Sequence, residues 1–472
     1  MKNELDFGVV ALQRALSRGD FSCGEYVEAL IARTEASASL NGYVDFDAAP
    51  FRAQAKAADA ALAAGMRLPL LGVPIALKDN INTRSLPTGA GTGALHGTFP
   101  AADAEIVRRL KASGAIVSGK AGMHELAFGI SSNNGVTGAM RNPWSPDRIP
   151  GGSSGGSAVV VAAGLVPGAI GTDTGASVRL PASLCGACGL RPTVGRVPGT
   201  GIAPISSTRD TPGPIARRVE DLVALDTVLA ADDTPVPAVS LMGLRIGLPT
   251  QRFWDDLDRP VASVMDDARR RLEAAGVVFV AVDLPELGAL NDAVGFPVAL
   301  FEFMAEMPQY LRESGHSVDM AALLAGIGSP DVAAILRPLA TAPIPEAVYR
   351  AALESRKHLQ RVYRDGFGRQ GIEALMFPTA SLTAARIGAN DTVEYRGQSQ
   401  QAFPLFIRNL DPGSNAGIPG VSLPAGTGSD GLPVGLALDA PAFSDRRLLG
   451  IAQAFEHVLP RPALAPHALN HH

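Results

Sequence analysis

Apolar residues recur along the chain at two spacings, one typical of amphipathic helices and the other of buried strands. In residues 1–65 the apolar positions fall three and four apart, which predicts an N-terminal helical region. Its helices are predicted over residues 6–17, 24–37 and 51–64. Ser22 and Glu25 form a capping-box pattern, which supports a start of the second helix at about Gly24.

Beyond residue 65, short apolar runs alternate with amphipathic segments. A strand at 73–77, a helix at 103–113 and a strand at 115–118 follow the βαβ rhythm of an α/β fold. Further strands are predicted over residues 167–171, 245–248, 277–282, 375–377, 421–423 and 434–438. Further helices are predicted over residues 157–164, 219–230, 261–275 and 444–458. Pro and Gly are frequent over residues 192–214, which are predicted to form loops.

The order of these elements predicts one α/β domain over residues 1–472 rather than two independent domains. Its core is predicted over residues 66–230, and its C-terminal part over residues 371–460. Residues 285–370 are predicted to be a mostly helical insertion. A proline-containing linker at 234–243 precedes the second half of the chain.

Composition and charge narrow the class of protein. Of the 472 residues 46% are apolar and 18% are charged, which is typical of a globular protein. The net charge of −5 does not favour binding to nucleic acid, and the apolar runs are too short to predict a membrane span. We see no secretory signal, and the three cysteines suggest a reducing compartment, so the expected location is the cytoplasm.

Two clusters of Gly and Ser, at 151–157 and 171–179, flank one short apolar segment. No Lys follows the glycines of the first cluster, so a nucleotide-binding P-loop is not favoured. The second cluster lies at a predicted strand end, where successive main-chain N–H groups can converge on an anion or an oxyanion. Ser177 alone is typical of a buried turn serine, but beside such amides it could attack a carbonyl group.

A serine nucleophile needs a base. His124 is the only histidine in this region, and it is more typical of a structural histidine than of a catalytic one. Lys78, directly after the buried strand at 73–77, is the alternative, provided that burial keeps it neutral. Cys185 and Cys188 have the spacing of a redox or metal pair, but a zinc site needs two more ligands, so buried apolar packing is favoured.

Taken together, these residues resemble the amidase signature family, whose members are Ser–cis-Ser–Lys hydrolases. The resemblance covers nearly the whole chain. It is carried by residues 72–80, 119–125, 142–144, 151–157, 171–179, 189–196, 210–213, 417–424 and 431–435. It implies a large, twisted, mixed β-sheet sandwiched by α-helices, with residues 66–230 as the signature core and the insertion at 285–370 as the least similar part.

The resemblance implies that Ser177 is the nucleophile, Ser153 the bridging serine and Lys78 the base. It also implies a cis peptide bond between Gly152 and Ser153. The oxyanion donors would be the main-chain N–H groups of Thr174, Gly175, Ala176 and Ser177. Asp173 and Arg179 would brace this loop as an ion pair, and Ser154 would support it. The residues expected to contact substrate are Met123, Gly129, Ile130 and Ser131.

Two departures from the family pattern are visible in the sequence. Ala176 stands where the family usually has Gly, which restricts the backbone without removing the amide donor. Ala121 and Gly122 stand where the family often has Thr-Asn, which alters one wall of the pocket. The resemblance implies no cofactor and no metal.

Within the family, residues 171–179, 209–214 and 411–419 look most similar to the hydrolases of indoleacetamide and mandelamide. This implies a small-molecule substrate, a primary amide with an aryl-substituted acetyl group, and the release of ammonia. A homodimer is a possible assembly. The alternatives are the A subunit of an aminoacyl-tRNA amidotransferase, which frees ammonia from glutamine, and a non-catalytic subunit of the same fold.

Overall fold

An eleven-stranded mixed β-sheet forms the centre of the protein, in a computed structural model that describes residues 6–388, 390–462 and 465. His471 and His472, to which we assign no role, lie outside the described residues. In chain order, the strands are β1 (Tyr43–Asp45), β2 (Pro74–Lys78), β3 (Ile116–Ala121), β4 (Asn133–Asn134), β5 (Gly138–Ala139), β6 (Gly168–Asp173), β7 (Cys188–Arg191), β8 (Thr211–Ala216), β9 (Arg245–Pro249), β10 (Val278–Val282), β11 (Ala374–Pro378), β12 (Thr392–Tyr395), β13 (Gln398–Gln401), β14 (Gly420–Thr427) and β15 (Pro433–Asp439).

Helices pack on this sheet and extend it. In chain order, they are α1 (Val9–Arg18), α2 (Cys23–Ala36), α3 (Ala48–Ala63), α4 (Glu105–Ala112), α5 (Gly155–Ala162), α6 (Arg179–Leu184), α7 (Val219–Ala230), α8 (Arg259–Ala274), α9 (Leu287–Glu313), α10 (Met320–Ala325), α11 (Pro330–Leu336), α12 (Glu346–Gln370), α13 (Ala402–Ile407), α14 (Asp411–Ala416) and α15 (Asp445–Glu456). The capping box of Ser22 and Glu25 is present at the start of α2, as predicted.

The strand order in the large sheet is β1-β3-β2-β6-β8-β7-β14-β15-β11-β9-β10. Strands β3, β2 and β6 pair in parallel, as do β11, β9 and β10. The strands between these two groups pair antiparallel. The predicted α/β class with a large mixed sheet is therefore confirmed, and the predicted βαβ unit corresponds to β2, α4 and β3.

The prediction of loops over residues 192–214 is wrong at its end, where β8 begins at Thr211. Pro212 and Pro214 argue against a strand because proline cannot donate to a β-ladder. Strand β8 pairs with β6 over its whole length, but its described pairs with β7 involve Ile215 and Ala216. Both prolines lie beyond that second ladder, which is why a central strand tolerates them.

Helices α9 to α12 lie between β10 and β11 in the chain, over the stretch that the sequence predicts to be helical. The domain boundaries given above stay predictions. Helix α9 is long and apolar enough to cross a membrane by length and composition alone. Half of its most apolar window is buried inside the protein, as in core helices that pass the same test, so it gives little support for a span.

Candidate active site

Lys78 ends the fully buried strand β2 and is itself 0% exposed. Its Nζ lies 2.8 Å from Ser153 Oγ and 2.8 Å from Thr172 Oγ1. Burial lowers the pKa of Lys78 to about 7, although the charges of Asp173 and Asp210 act in the opposite direction. Near neutral pH a substantial fraction of the amine is therefore neutral and can act as a base.

Thr172 completes the surroundings of this amine, and the sequence analysis missed it. Its Oγ1 accepts hydrogen bonds from Lys78 Nζ at 2.8 Å and from Asn80 Nδ2 at 3.1 Å. When the neutral amine donates to Thr172, its lone pair can face Ser153. Both partners could have been inferred, since Asn80 follows β2 and Thr172 lies near the end of β6, and adjacent parallel strands end at one edge.

The loop before α5 carries the predicted bridging serine. The peptide bond between Gly152 and Ser153 is cis, as the resemblance implies. Ser153 O accepts a hydrogen bond from His124 N at 3.0 Å, and Ser154 N donates to Ser177 O at 3.2 Å. Ser154 Oγ accepts from Thr172 N at 3.3 Å and donates to Thr172 O at 3.2 Å. These bonds hold the two glycine- and serine-rich loops against each other.

Ser177 lies between β6 and α6 and is 9% exposed. Its Oγ makes no hydrogen bond with any residue that the structure describes. Lys78 and Ser153 are in direct contact, whereas Ser177 is joined to this pair through the hydrogen bond between its main-chain oxygen and Ser154 N. Within the described part of the chain, the N–H groups of 174–177 also donate no hydrogen bond, whereas those of Val178 and Arg179 both donate to Asp173. Four successive donors are thus available to a ligand oxygen.

A buried ion-pair cluster supports this loop. Arg179 Nε lies 3.1 Å from Asp173 Oδ2, and Arg191 Nη1 lies 3.1 Å from Asp173 Oδ1. Burial raises the pKa of Asp173, but the two guanidinium groups outweigh it and bring this pKa below its ordinary value. Arg179 Nη2 also donates to Gly175 O at 3.1 Å, which ties the cluster to the four free amides. The pair of Asp173 and Arg179 was predicted from the sequence, whereas the contact of Arg191 was not.

Replacing Arg179 with Met should lower the free energy of unfolding by about 3–5 kcal/mol, because it removes one of the two guanidinium partners of buried Asp173 and the ion-pair partner, at 3.4 Å, of buried Asp439. Urea unfolding followed by circular dichroism measures this change. The control is Arg386→Met, which removes a surface pair with Asp147 at 2.8 Å, where the side chains are 74% and 50% exposed. That control should cost less than about 1 kcal/mol, and equal losses in both variants would contradict the expectation.

A cleft with about 540 Å³ of empty space leads from Ser177 to the surface. The rings of Phe296, from α9, and Phe403, from α13, line it with their centroids 5.6 Å apart. Its other lining residues are Ala127, Phe128, Gly129, Ile130, Thr174, Gly175, Ala176, Ile205, Arg209, Gly295, Ala299, Ile407 and Asp411. The cleft is therefore mostly apolar, and three phenylalanines line it together with the four free amides.

Two of the four predicted substrate contacts line this cleft, namely Gly129 and Ile130. Met123 instead packs in a buried apolar cluster, and it is 0% exposed. Ser131 Oγ bonds to Asn390 Oδ1 at 3.0 Å and is itself buried. The four residues are close together in the sequence, but closeness in sequence did not show which of them line the cleft and which are buried away from it.

The charged residues of the cleft, Arg209 and Asp411, pair with each other. Arg209 Nη2 lies 2.7 Å from Asp411 Oδ1, and both side chains are buried. A Cβ at Gly175 would approach Asp411 Oδ1 to 2.8 Å, so only glycine fits there without a shift. This mutual pairing leaves no excess charge in the cleft, which suits an uncharged ligand.

His124 is placed as a structural histidine. Its Nδ1 accepts from Ser132 N at 3.2 Å, and its Nε2 lies 3.1 Å from Asp331 Oδ2. Cys185 and Cys188 are buried and free, as expected. Among the residues that the structure describes, no group of three or more His, Cys, Asp or Glu is placed to hold a metal ion.

Comparisons with known proteins show the family to which this chain belongs. The family model described as Amidase matches residues 25–449. The chain is 47% identical over 446 residues to an indoleacetamide hydrolase of Rhizobium radiobacter, covering 94% of this chain and 95% of that protein. It is 42% identical over 457 residues to a mandelamide hydrolase of Pseudomonas putida, covering 93% and 88%.

Solved structures show the same fold. A crystal structure described as an amidase superposes with a TM-score of 0.87 at 30% identity, covering 96% of this chain and 100% of that one. The native peptide amidase from Stenotrophomonas maltophilia superposes with a TM-score of 0.80 at 29% identity, covering 97% and 99%. This chain therefore belongs to the amidase family, and it is a hydrolase that acts on amide C–N bonds.

Proposed function

We propose that this amidase hydrolyses a primary carboxamide with an aryl-substituted acetyl group, such as indoleacetamide or mandelamide, to the carboxylate and ammonia. The observation that carries the proposal is that Ser177 and the four free amides line a mostly apolar cleft with aromatic residues, while the main chain of Ser177 bonds to Ser154, next to the buried Lys78–Ser153 contact. The relatives that hydrolyse indoleacetamide and mandelamide support this choice of acyl group.

The first half of the reaction forms an acyl-enzyme. Neutral Lys78 accepts a proton from Ser153, which accepts one from Ser177 as that oxygen attacks the amide carbon. The carbonyl oxygen becomes an oxyanion and accepts hydrogen bonds from the N–H groups of residues 174–177. Losing one such donor typically raises the barrier by about 3 kcal/mol. The relay then returns the proton to the nitrogen, the C–N bond breaks and ammonia leaves.

The second half restores the enzyme. A water molecule attacks the ester carbon while the relay of Ser153 and Lys78 accepts its proton. The bond between the acyl carbon and Ser177 Oγ breaks, the oxygen of Ser177 is reprotonated through the relay, and the carboxylic acid leaves as a carboxylate. One amide and one water thus give one carboxylate and one ammonium ion.

The aromatic lining of the cleft makes a prediction about the acyl group. Phe296 is 46% exposed and lines the cleft, so its ring is accessible to a ligand there. Phe296→Ala should raise KM for aryl acetamides about two- to tenfold, the range expected from losing one aromatic contact. KM for acetamide should change little, because acetamide has no ring to pack there.

Steady-state ammonia release, measured on matched aryl and alkyl amides, checks this split. Phe99→Ala is the control, since Phe99 is 60% exposed and does not line the cleft. Equal increases of KM for both classes of amide would contradict the proposed role of Phe296.

An amide panel tests the proposed function itself. Fast turnover of indoleacetamide or mandelamide supports it, and turnover of small aliphatic amides with no action on aryl acetamides rejects it. Robust hydrolysis by the purified chain alone would also argue against the amidotransferase subunit. Glutamine carries an ammonium and a carboxylate group, which need charged partners. In this cleft the charged residues Arg209 and Asp411 already neutralise each other, so the cleft suits an uncharged amide better than glutamine.

A further inference from the structure

A second cavity reaches the partners of the catalytic lysine from another side. It has about 880 Å³ of empty space, and Asn80 and Thr172 line its inner part. Asn80 Nδ2 donates a hydrogen bond to Thr172 Oγ1 at 3.1 Å, and the same hydroxyl oxygen lies 2.8 Å from Lys78 Nζ. The cavity thus ends one side chain away from the base.

The two cavities are separated by a single layer of residues. Ala127, Thr174 and Ile205 line both the cleft and the second cavity. The outer rim of the second cavity includes Gly199 and Thr200, both exposed, so this cavity opens to solvent independently of the cleft.

The reaction proposed above needs such an opening. Once Ser177 carries the acyl group, the aryl part fills the cleft and obstructs it. Ammonia must nevertheless leave, and the deacylating water must arrive where the nitrogen was, because the same relay serves both steps. Both small molecules therefore need access on the side of Lys78 rather than along the acyl group.

The chemistry of the shared wall fits small polar molecules. Asp210 lines the second cavity, and its Oδ1 accepts a hydrogen bond from Thr174 Oγ1 at 2.6 Å. The Thr174 side chain thus links a carboxylate in the second cavity to the first of the four free amides. A carboxylate at this point is complementary to ammonia and to ammonium, and it can also order water.

We propose that the second cavity is the passage by which ammonia leaves and water enters while the acyl group occupies the cleft. The passage crosses the layer of Ala127, Thr174 and Ile205. This inference rests on the acyl-enzyme route of the proposed function, and it adds a second route of access to the site.

The test is to fill the outer part of the passage. Gly199 is suitable because a Cβ there would meet no described heavy atom within 4 Å. Gly199→Trp should lower kcat about tenfold, which corresponds to about 1.4 kcal/mol of barrier. Thr200→Trp is a second, independent filler at the rim. The control is Gly368→Trp, because Gly368 is exposed on α12, also has an open Cβ position and lies away from both cavities.

Two measurements accompany kcat in each variant, and kcat is measured on the amide that the wild-type enzyme turns over best. The inhibition constant of the carboxylate product should stay unchanged, which shows that fold and cleft are intact. Hydroxylamine competes with water for the acyl-enzyme, and its larger size should reduce the share of hydroxamate in the Trp variants. Ammonia release by wild-type enzyme on aryl acetamides separately tests the proposed function.

A lower kcat together with a lower hydroxamate share, relative to Gly368→Trp, supports the passage. With product binding intact, an unchanged kcat in either filled variant would overturn it. A lower kcat with an unchanged hydroxamate share would overturn it too, since this would indicate a general disturbance rather than obstruction.

Discussion

Replacing Ser177 with Ala is expected to reduce kcat/KM for the amide by a factor on the order of 10⁴ or more, as in other hydrolases that lose the attacking serine. The hydroxyl of Ser153 cannot take over, because it lies 2.8 Å from Lys78 Nζ and is 0% exposed. Ammonia release under conditions where substrate is far below KM measures the loss. Labelling by a fluorophosphonate should disappear with the activity.

The control for this variant is Ser240→Ala. Ser240 is an exposed serine whose Oγ accepts a hydrogen bond from Met242 N at 3.2 Å, and it lines neither the cleft nor the second cavity. Its replacement should leave kcat/KM close to the wild-type value. If Ser177→Ala kept activity within about tenfold of the wild type, a serine nucleophile would be excluded and another residue or water would have to attack.

Local patterns explain why much of the fold could be predicted. The helix predicted over residues 219–230 corresponds to Val219–Ala230, and the capping box of α2 is present. Both depend on side chains a few positions apart, where periodicity and capping act directly. Lys78 was also accessible to reasoning from the residues, since a lysine that directly follows a buried apolar strand is well placed to be buried itself.

Contacts across long separations explain what was missed. Arg209 and Asp411 are 202 positions apart, and no local pattern in either segment indicates that they pair in the cleft. The rings of Phe296 and Phe403 likewise come from two separate helices. Ser153 and Ser177 were assigned roles by family resemblance, because residue spacing alone does not reveal that α5 and β6 bring their loops together.

Lys78→Met should reduce kcat/KM by about 10²–10⁴-fold, the usual contribution of a general base. The wild-type profile should rise through about pH 7, because the pKa of the buried amine is lowered to about 7 and the protonated form cannot accept a proton from Ser153. Activity should then level off at higher pH. The residual activity of Lys78→Met should lack this rise, which initial rates from pH 5 to pH 9 would show.

Lys120→Met provides the matched control. Lys120 is the other fully buried lysine of this region, with a pKa lowered by burial to about 8, and its Nζ donates to Thr88 Oγ1 at 2.9 Å rather than to a serine of the site. This variant should retain the rise through about pH 7 that the wild type shows. A Lys78→Met variant that kept the same rise would assign it to another group and remove Lys78 from the relay.

The same substitution should stabilise the fold. The pKa of Lys78 is lowered from 10.5 to about 7 in the folded protein, so the unfolded chain binds more protons between these values and stability falls as pH decreases across them. Below about pH 7 the cost is complete, and it amounts to at most about 5 kcal/mol at about 1.4 kcal/mol for each pKa unit. Lys78→Met removes this cost, less what the lost hydrogen bonds to Ser153 and Thr172 contribute. Urea unfolding at pH 6 should therefore show that Lys78→Met is more stable than the wild type, and the gain should be smaller at pH 9. The reaction needs this amine neutral, and the fold keeps it neutral by holding it away from water, which costs stability.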